Sequence, residues 1–340
     1  MNSRREGPQP ETETMAEREV SQVETPSSRL VIAIVGPTCS GKTKIGIEFA
    51  KLIQGEIISA DARQIYRLID IGTAKPSREE LTEVPHHLVD ILPLEDDMSA
   101  GAFSELARKI TGEIFARDHV PVVVGGSGLY LRAITDGLFD APEIDEAIRR
   151  KLRSRLESEG ADALLEDLKQ IDPKAARGLL PQNYKRILRA LEVYYSSGEK
   201  ISELREARRS VPDFETLQFG IMLDRKRLYR RIEKRVDEMI EAGLLDEVRE
   251  ILRKGFNPGL NSLQAVGYKE AIGFIRGKIK YEDMLSLIKM NTRRYAKRQM
   301  TWFRRDSRIV WVAADEKSPR EVAEEILDLS FSKRTRTVQK

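Results

Sequence analysis

Apolar and polar positions divide the chain into stretches of two periods. Leu30 to Val35 is a short, β-branched apolar run that ends at Gly36. From Thr43 to Leu52 the apolar residues recur at helical spacing, so strand, loop and helix are predicted in that order. Residues 56–60 read as a second short strand ending at Asp61, and Val120 to Val124 as a third, closed by Gly125-Gly126. A helical pattern over 102–116 lies between them. Short, continuously apolar strands that alternate with helices indicate a parallel sheet covered by helices.

From about Gly137 to Pro212 the strand signals vanish. Charge-laced helical patterns remain, broken at Gly160, Pro173, Pro181 and Gly198, and the segment reads as a helical insertion. LQFGIML at 217–223 resumes the strand pattern. A helix from Arg225, another from Tyr281 to Arg305, and a final strand over Arg308 to Val312 follow. The expected organisation is a tail over 1–28, an α/β core over 29–136 plus 213–328, an all-helical insertion domain over 137–212, and a disordered end over 329–340.

Composition adds limits to this picture. At 340 residues the chain is long enough for two domains or for one with a large insertion. No apolar run approaches the roughly 18 residues of a membrane span. The first twenty-eight residues, rich in Glu, Ser, Thr and Pro, have no apolar stretch to fold around and no hydrophobic segment of a secretory signal. One cysteine excludes an internal disulfide framework, which suits a reducing cytoplasm. A net charge of +3 predicts no partner by itself; the distribution of charge is more informative.

Gly36-Pro37-Thr38-Cys39-Ser40-Gly41-Lys42-Thr43 has the spacing G-x-x-x-x-G-K-[ST] and lies between a predicted strand and a predicted helix. Backbone N–H groups in such a loop turn inward around phosphate oxygens, the helix N-terminus adds partial positive charge, and Lys42 adds a full one. Thr43 would place a hydroxyl on Mg²⁺. Cys39, a single thiol in this loop, reads as a small filler. A phosphate cradle serves nucleotide hydrolysis, phosphoryl transfer and diphosphate departure equally well, so the reaction stays open at this point.

Asp61 closes the second strand. In a parallel sheet the carboxyl ends of neighbouring strands share an edge, so Asp61 can face an anion in the loop. The third strand ends in Gly125-Gly126-Ser127-Gly128, without the acidic residue that a nucleotide hydrolase uses for its metal. Ser127 can donate a hydrogen bond to substrate there. Between Arg293 and Arg305 there are six basic residues and no acidic ones, with Tyr295, Trp302 and Phe303 interleaved. Arg294 and Arg298 share a helix face that suits phosphates, while Trp302 and Phe303 read as core residues. His86-His87 lacks a spaced third ligand and reads as structural rather than metal-binding.

GPTCSGKT, ISADARQIY, DIGTAKP, PHHLVDI, VVVGGSGLYL, KRILRALEVY and LQAVGYKE occur in this order between residues 30 and 313. Together they resemble the tRNA dimethylallyltransferase family. The resemblance implies a P-loop NTPase-like parallel sheet with a helical insertion; a monomer suffices for the chemistry, and a cytoplasmic monomer is expected. It also implies transfer of a dimethylallyl group from dimethylallyl diphosphate to N6 of adenosine-37 beside the tRNA anticodon, with Mg²⁺ as cofactor. By position, Asp61 corresponds to the general base, Lys42 and Thr43 to the diphosphate and Mg²⁺ groups, and Arg225 to an arginine near the diphosphate. Asp61, Ala62, Arg63 and Gln64 correspond to tRNA contacts. So do Ser127, the run Lys185, Arg186, Ile187, Leu188 and Arg189, and the run Ala265, Val266, Gly267, Tyr268 and Lys269. Ser127 stands where the family commonly has Thr. Three readings remain beside this one: a free adenine nucleotide as prenyl acceptor, a small-molecule kinase, and a non-catalytic RNA-binding module.

Overall fold

The computed structural model describes residues 29–139, 142–207 and 212–338; the expected tail over 1–28 lies outside the described residues. Six strands form one sheet in the order β3-β2-β4-β1-β5-β6, and every neighbouring pair is parallel. They are β1 (Leu30–Val35), β2 (Gly55–Ala60), β3 (His86–His87), β4 (Val120–Gly125), β5 (Glu215–Met222) and β6 (Val310–Ala313). The helices of the first half are α1 (Lys42–Leu52), α2 (Arg78–Glu83), α3 (Ala100–Phe115) and α4 (Gly128–Asp136). A helical segment follows with α5 (Glu146–Ile171), α6 (Pro173–Ala176), α7 (Tyr184–Ser197) and α8 (Ile201–Ala207). The second half holds α9 (Arg225–Glu241), α10 (Leu244–Arg253), α11 (Tyr268–Ile275), α12 (Tyr281–Phe303) and α13 (Pro319–Val338).

β1 is apolar at every position because both faces of the sheet are covered. Ile32 and Ile34 pack with Ile45 and Phe49 of α1 and with Ile326 of α13. Val31, Ala33 and Val35 point the other way, onto Phe103 and Ala107 of α3 and Ile134 of α4. A third core joins Ile65, Tyr66 and Ile69, after β2, to Val236 of α9, Tyr268 of α11 and Ile288 of α12. The helical segment has its own core around Leu164, Leu168, Ile187 and Leu191, and no strand occurs in it among the described residues. Its expected breaks all appear: Gly160 kinks α5 at φ 83°, Pro173 opens α6, Pro181 opens a 3₁₀ turn, and Gly198 caps α7 at φ 75°.

Three expectations need correction. The sequence pattern misses β3, which is two residues long and pairs only with Ile57 and Ile58 of β2. The last strand begins at Val310 instead of Arg308, whose guanidinium instead bridges Asp136 and Asp306. The segment from 329, expected to be a disordered end, continues α13 as far as Val338. An apolar stripe through Val322, Ala323 and Ile326 holds this helix on the sheet, and Leu329 packs against the same core.

Register sets the place of the chemistry. Val35 and Ala60 both pair with Gly125, so Gly36, Asp61 and Gly126 leave the sheet together at its carboxyl edge.

Candidate active site

The loop between β1 and α1 is held from outside by α12 and α9. Gln299, 5% exposed on α12, accepts a hydrogen bond from the Thr38 backbone N–H at 2.8 Å and donates one to the Gly126 carbonyl at 2.9 Å. One buried amide therefore ties the phosphate loop to the turn after β4. Gly126 is glycine because a Cβ there would stand 2.2 Å from the Gln299 amide nitrogen. On α9, Arg235 donates to the Thr38 hydroxyl at 3.1 Å, to Cys39 Sγ at 3.5 Å and to the Thr73 carbonyl at 3.4 Å. Its Nε is buried without a hydrogen-bond partner, and Arg231 reaches the Ser40 carbonyl at 3.5 Å. Lys42 donates to the Pro37 carbonyl at 3.4 Å. Burial pushes its ammonium below the ordinary lysine value; the charge of Asp61 opposes that shift and Arg235 adds to it. A buried, positively charged cradle of this kind is stabilised by an incoming anion.

Asp61 heads a tight turn. Its Oδ1 accepts from the Arg63 N–H at 2.8 Å and from the Gln64 N–H at 3.4 Å, and no hydrogen bond reaches Oδ2 among the described residues. The Ser127 hydroxyl accepts the Ala62 N–H at 3.0 Å, which fixes the turn to the end of β4. The Gln64 side chain donates to the Thr73 and Ala74 carbonyls at 3.2 and 2.8 Å. One carboxylate oxygen thus orients the group and the other is left for a ligand.

Lys42, Thr38 and Asp61 line a common cavity of about 330 Å³. Arg235 and Gln299 line it beside Arg63, Lys269 and Arg298, and Ile232, Val236, Met239 and Ile288 form an apolar wall. Tyr295 is a further wall, its hydroxyl pushed to a higher pKa by burial and then by the charge of Asp61. Thr43 lies beside Lys42 and Asp61 in a small adjoining recess of about 20 Å³. An anion cradle, a carboxylate and an apolar pouch therefore meet in one space.

The residues expected at the site separate into groups. Ala62, Arg63, Ala265, Val266, Lys269 and Arg298 line the cavity with Asp61. Arg225 does not: it is exposed at the start of α9 and stacks on Tyr229, 5.2 Å from the ring centre. Ten residues of helix separate it from Arg235, about 15 Å. Tyr268 is fully buried and accepts the Gly72 N–H at 3.0 Å, so it is a core residue rather than a surface for RNA. Gly267 donates its N–H to Glu270 at 2.8 Å. Ile187 and Leu188 sit in the core of the helical segment, with Lys185 and Arg186 exposed beside them. Arg189 lines a different cleft, about 1010 Å³, between that segment and α3. Arg294 is exposed. The neighbouring Arg293 is neutralised by Glu233 of α9 at 2.8 Å, an acid that the local sequence of α12 does not reveal. Phe303 is core as expected, but Trp302 is not. His87 binds Glu56 at 2.7 Å within the β2–β3 pair.

Arg235 and Gln299 are absent from the sequence reading. The four-residue spacing of Arg231 and Arg235 was the available signal, since it puts both on one face of α9. Gln299 has no such signal; only the fold brings it to Thr38.

The parallel sheet, the phosphate loop at its carboxyl edge and the facing carboxylate define a P-loop-type α/β enzyme that handles a phosphorylated substrate. The family model for IPP transferase matches residues 64–306, and the chain belongs to that family. It is similar to a tRNA dimethylallyltransferase of Desulforudis audaxviator, 43% identical over 286 residues that make up 84% of this chain and 92% of the relative. A tRNA dimethylallyltransferase of Geobacter metallireducens is 45% identical over 290 residues, 85% of this chain and 94% of its own. Among solved structures, the full-length tRNA isopentenylpyrophosphate transferase of Bacillus halodurans superposes with a TM-score of 0.67 at 37% identity, covering 92% of this chain and 100% of that one. A eukaryotic dimethylallyltransferase acting on tRNA gives 0.72 at 30% identity, over 85% and 75% of the two chains.

Proposed function

We propose that the cavity joining Lys42, Asp61 and the apolar wall is where this enzyme brings dimethylallyl diphosphate together with the N6 amine of the adenosine adjoining a tRNA anticodon. The protein is a tRNA dimethylallyltransferase. The observation that carries the site assignment is the meeting of three chemistries in one 330 Å³ space. The phosphate loop takes the diphosphate, Ile232, Val236, Met239 and Ile288 enclose the five-carbon chain, and Asp61 faces the acceptor.

An adenine amine is a weak nucleophile because its lone pair is delocalised into the ring. Asp61 accepts one N6 hydrogen and localises that pair, and N6 then forms its bond to the allylic carbon as the carbon–oxygen bond to diphosphate breaks. The proton lost from N6 passes to Asp61. Negative charge grows on the leaving diphosphate, where the loop amides, Lys42 and Arg235 hold it. The apolar wall keeps water from the electron-poor allylic carbon. The residues present fit a magnesium ion: the Thr43 hydroxyl has no hydrogen-bond partner among the described residues and shares its recess with Asp61. The Thr43 hydroxyl, a hard oxygen donor, would hold the ion and leave the Asp61 carboxylate for the acceptor. When bound, the ion supplies further neutralisation of the diphosphate.

The helical segment 137–212, with its separate core, acts in this reading as an insertion domain on the α/β core. No helix among the described residues is long and apolar enough to cross a membrane. All the cavity's lining residues come from one chain, so the chemistry needs no second copy, and in this reading the protein works on tRNA as a cytoplasmic monomer. The test is nucleoside mass analysis of undermodified tRNA after incubation with the protein, dimethylallyl diphosphate and Mg²⁺. A dimethylallyl adduct on adenosine, absent when either the donor or Mg²⁺ is omitted, is expected. Modification of free AMP in preference to tRNA, or none at all, would overturn the proposal.

A further inference from the structure

The basic end of α12 carries an aromatic surface that neither the core nor the reaction cavity uses. Trp302 is 37% exposed, whereas its neighbour Phe303 is 1% exposed. The indole rests on the backbone at the start of α4, where a Cβ on Gly128 would stand 2.1 Å from Cδ1 and 2.2 Å from Nε1. It borders an open depression of about 410 Å³ that also holds Arg132, Thr135 and Arg305. Two carboxylates in the same wall, Asp136 and Asp306, are both bound by Arg308 at 2.6 Å. Arg132 and Arg305 are exposed and have no hydrogen-bonded carboxylate among the described residues, so the depression favours an anion. A supported aromatic ring in a depression that Arg132 and Arg305 also line suits a nucleobase and its flanking phosphates.

The position of this surface on the helix points to a base next to the target. Trp302 lies one turn beyond Arg298, which lines the reaction cavity. That turn rises about 6 Å, comparable with the step from one nucleotide to the next in a partly extended strand, given about 3.4 Å when stacked. Extruding the target adenosine leaves its neighbour in the loop with one face unstacked. We infer that Trp302 is the stacking platform for the nucleobase adjacent to the target adenosine, with Arg132 and Arg305 on the phosphates around it. This deepens the tRNA-acceptor reading and rests on it.

The test uses the full protein and anticodon stem-loop RNAs that carry 2-aminopurine on the 5′ or the 3′ side of the target. Binding to the wild-type protein quenches the probe in one of the two positions, and Trp302→Leu abolishes that quenching. The same variant raises the KM for the stem-loop about ten-fold or more, with kcat and the KM for dimethylallyl diphosphate retained, and Trp302→Phe restores most of the loss. Unquenched probe at both positions with the wild-type protein would overturn the inference. So would an unchanged stem-loop KM in Trp302→Leu, or an equal loss of kcat in the Leu and Phe variants with a lowered melting temperature, which marks a packing residue. Failure of the wild-type protein to modify any stem-loop would instead remove the acceptor reading on which the inference stands.

Discussion

Gln299 holds Thr38 in place: its side-chain oxygen takes the Thr38 N–H at 2.8 Å while its amide nitrogen binds the Gly126 carbonyl at 2.9 Å. Both bonds are made by a side chain that is almost wholly buried, so neither partner has water as a substitute. Gln299→Leu therefore leaves a loop amide and a strand-end carbonyl unsatisfied. A loss of about 2 kcal/mol of stability is expected, together with a rise in the KM for dimethylallyl diphosphate. Thermal unfolding and donor titration read the two effects, and an unchanged donor KM would show that the loop keeps its shape without the clamp.

Asp61 uses one oxygen to orient its turn, through the Arg63 N–H, and offers the other to the cavity. Asn in its place keeps an acceptor for the Arg63 N–H but is a far weaker base. Asp61→Asn is expected to slow transfer by roughly 10²–10⁴ with tRNA affinity nearly intact. Single-turnover kinetics and a filter-binding titration separate these quantities. Near-normal turnover would remove the general-base role.

Two arginines of α9, Arg235 and Arg225, give opposite expectations. Arg235 touches the loop at Thr38 and Cys39 and lines the cavity, whereas Arg225 is exposed against Tyr229. Arg235→Gln should lower kcat by about 10²–10³, the scale of losing one preorganised charge at a developing anion. Arg225→Gln should change kcat by less than about three-fold, since an exposed stacking pair is worth only about 0.5–1 kcal/mol. Equal losses in the two variants would contradict this division.

These contrasts show which parts of the molecule its sequence carries locally. β1, the phosphate loop and α1 were legible because a continuous apolar run, a fixed glycine spacing and a helical period follow one another without a gap. The helical segment was legible through its breaks at Gly160, Pro173, Pro181 and Gly198. β3 was not, because two residues have no period and His86-His87 pair only with the edge of β2. Trp302 read as core together with Phe303; its 37% exposure depends on how α12 meets the start of α4 at Gly128, a tertiary fact. Tyr268 sits in a motif that resemblance links to tRNA, yet its side chain fills the space beneath Gly72. A motif marks a place in the fold, and a side chain within it, here Tyr268, can serve packing instead of binding.

Glu56 gives a test of the sheet that is independent of the reaction. It lies in β2 and is 3% exposed. It accepts from Arg117 at 2.9 and 2.8 Å, from His119 at 2.8 Å and from His87 at 2.7 Å. Burial by itself would raise its pKa; the hydrogen bonds from Arg117, His87 and His119 outweigh burial and bring it from 4.5 to about 2. The native carboxylate therefore stays charged at acidities where the unfolded one is already protonated. Its stabilising contribution is complete above about pH 4.5 and is lost as the pH falls through about 2. Glu56→Gln strips the charge while keeping the shape, and at pH 7 it should destabilise the protein by about 1–3 kcal/mol, as expected for a buried carboxylate whose charge-assisted hydrogen bonds come from the half-exposed Arg117 and His119. The gap in melting temperature between wild type and variant should then narrow steadily between pH 4.5 and pH 2. A gap independent of pH over that interval would mean that shape, and not charge, holds β3 and the start of β4 to this end of the sheet.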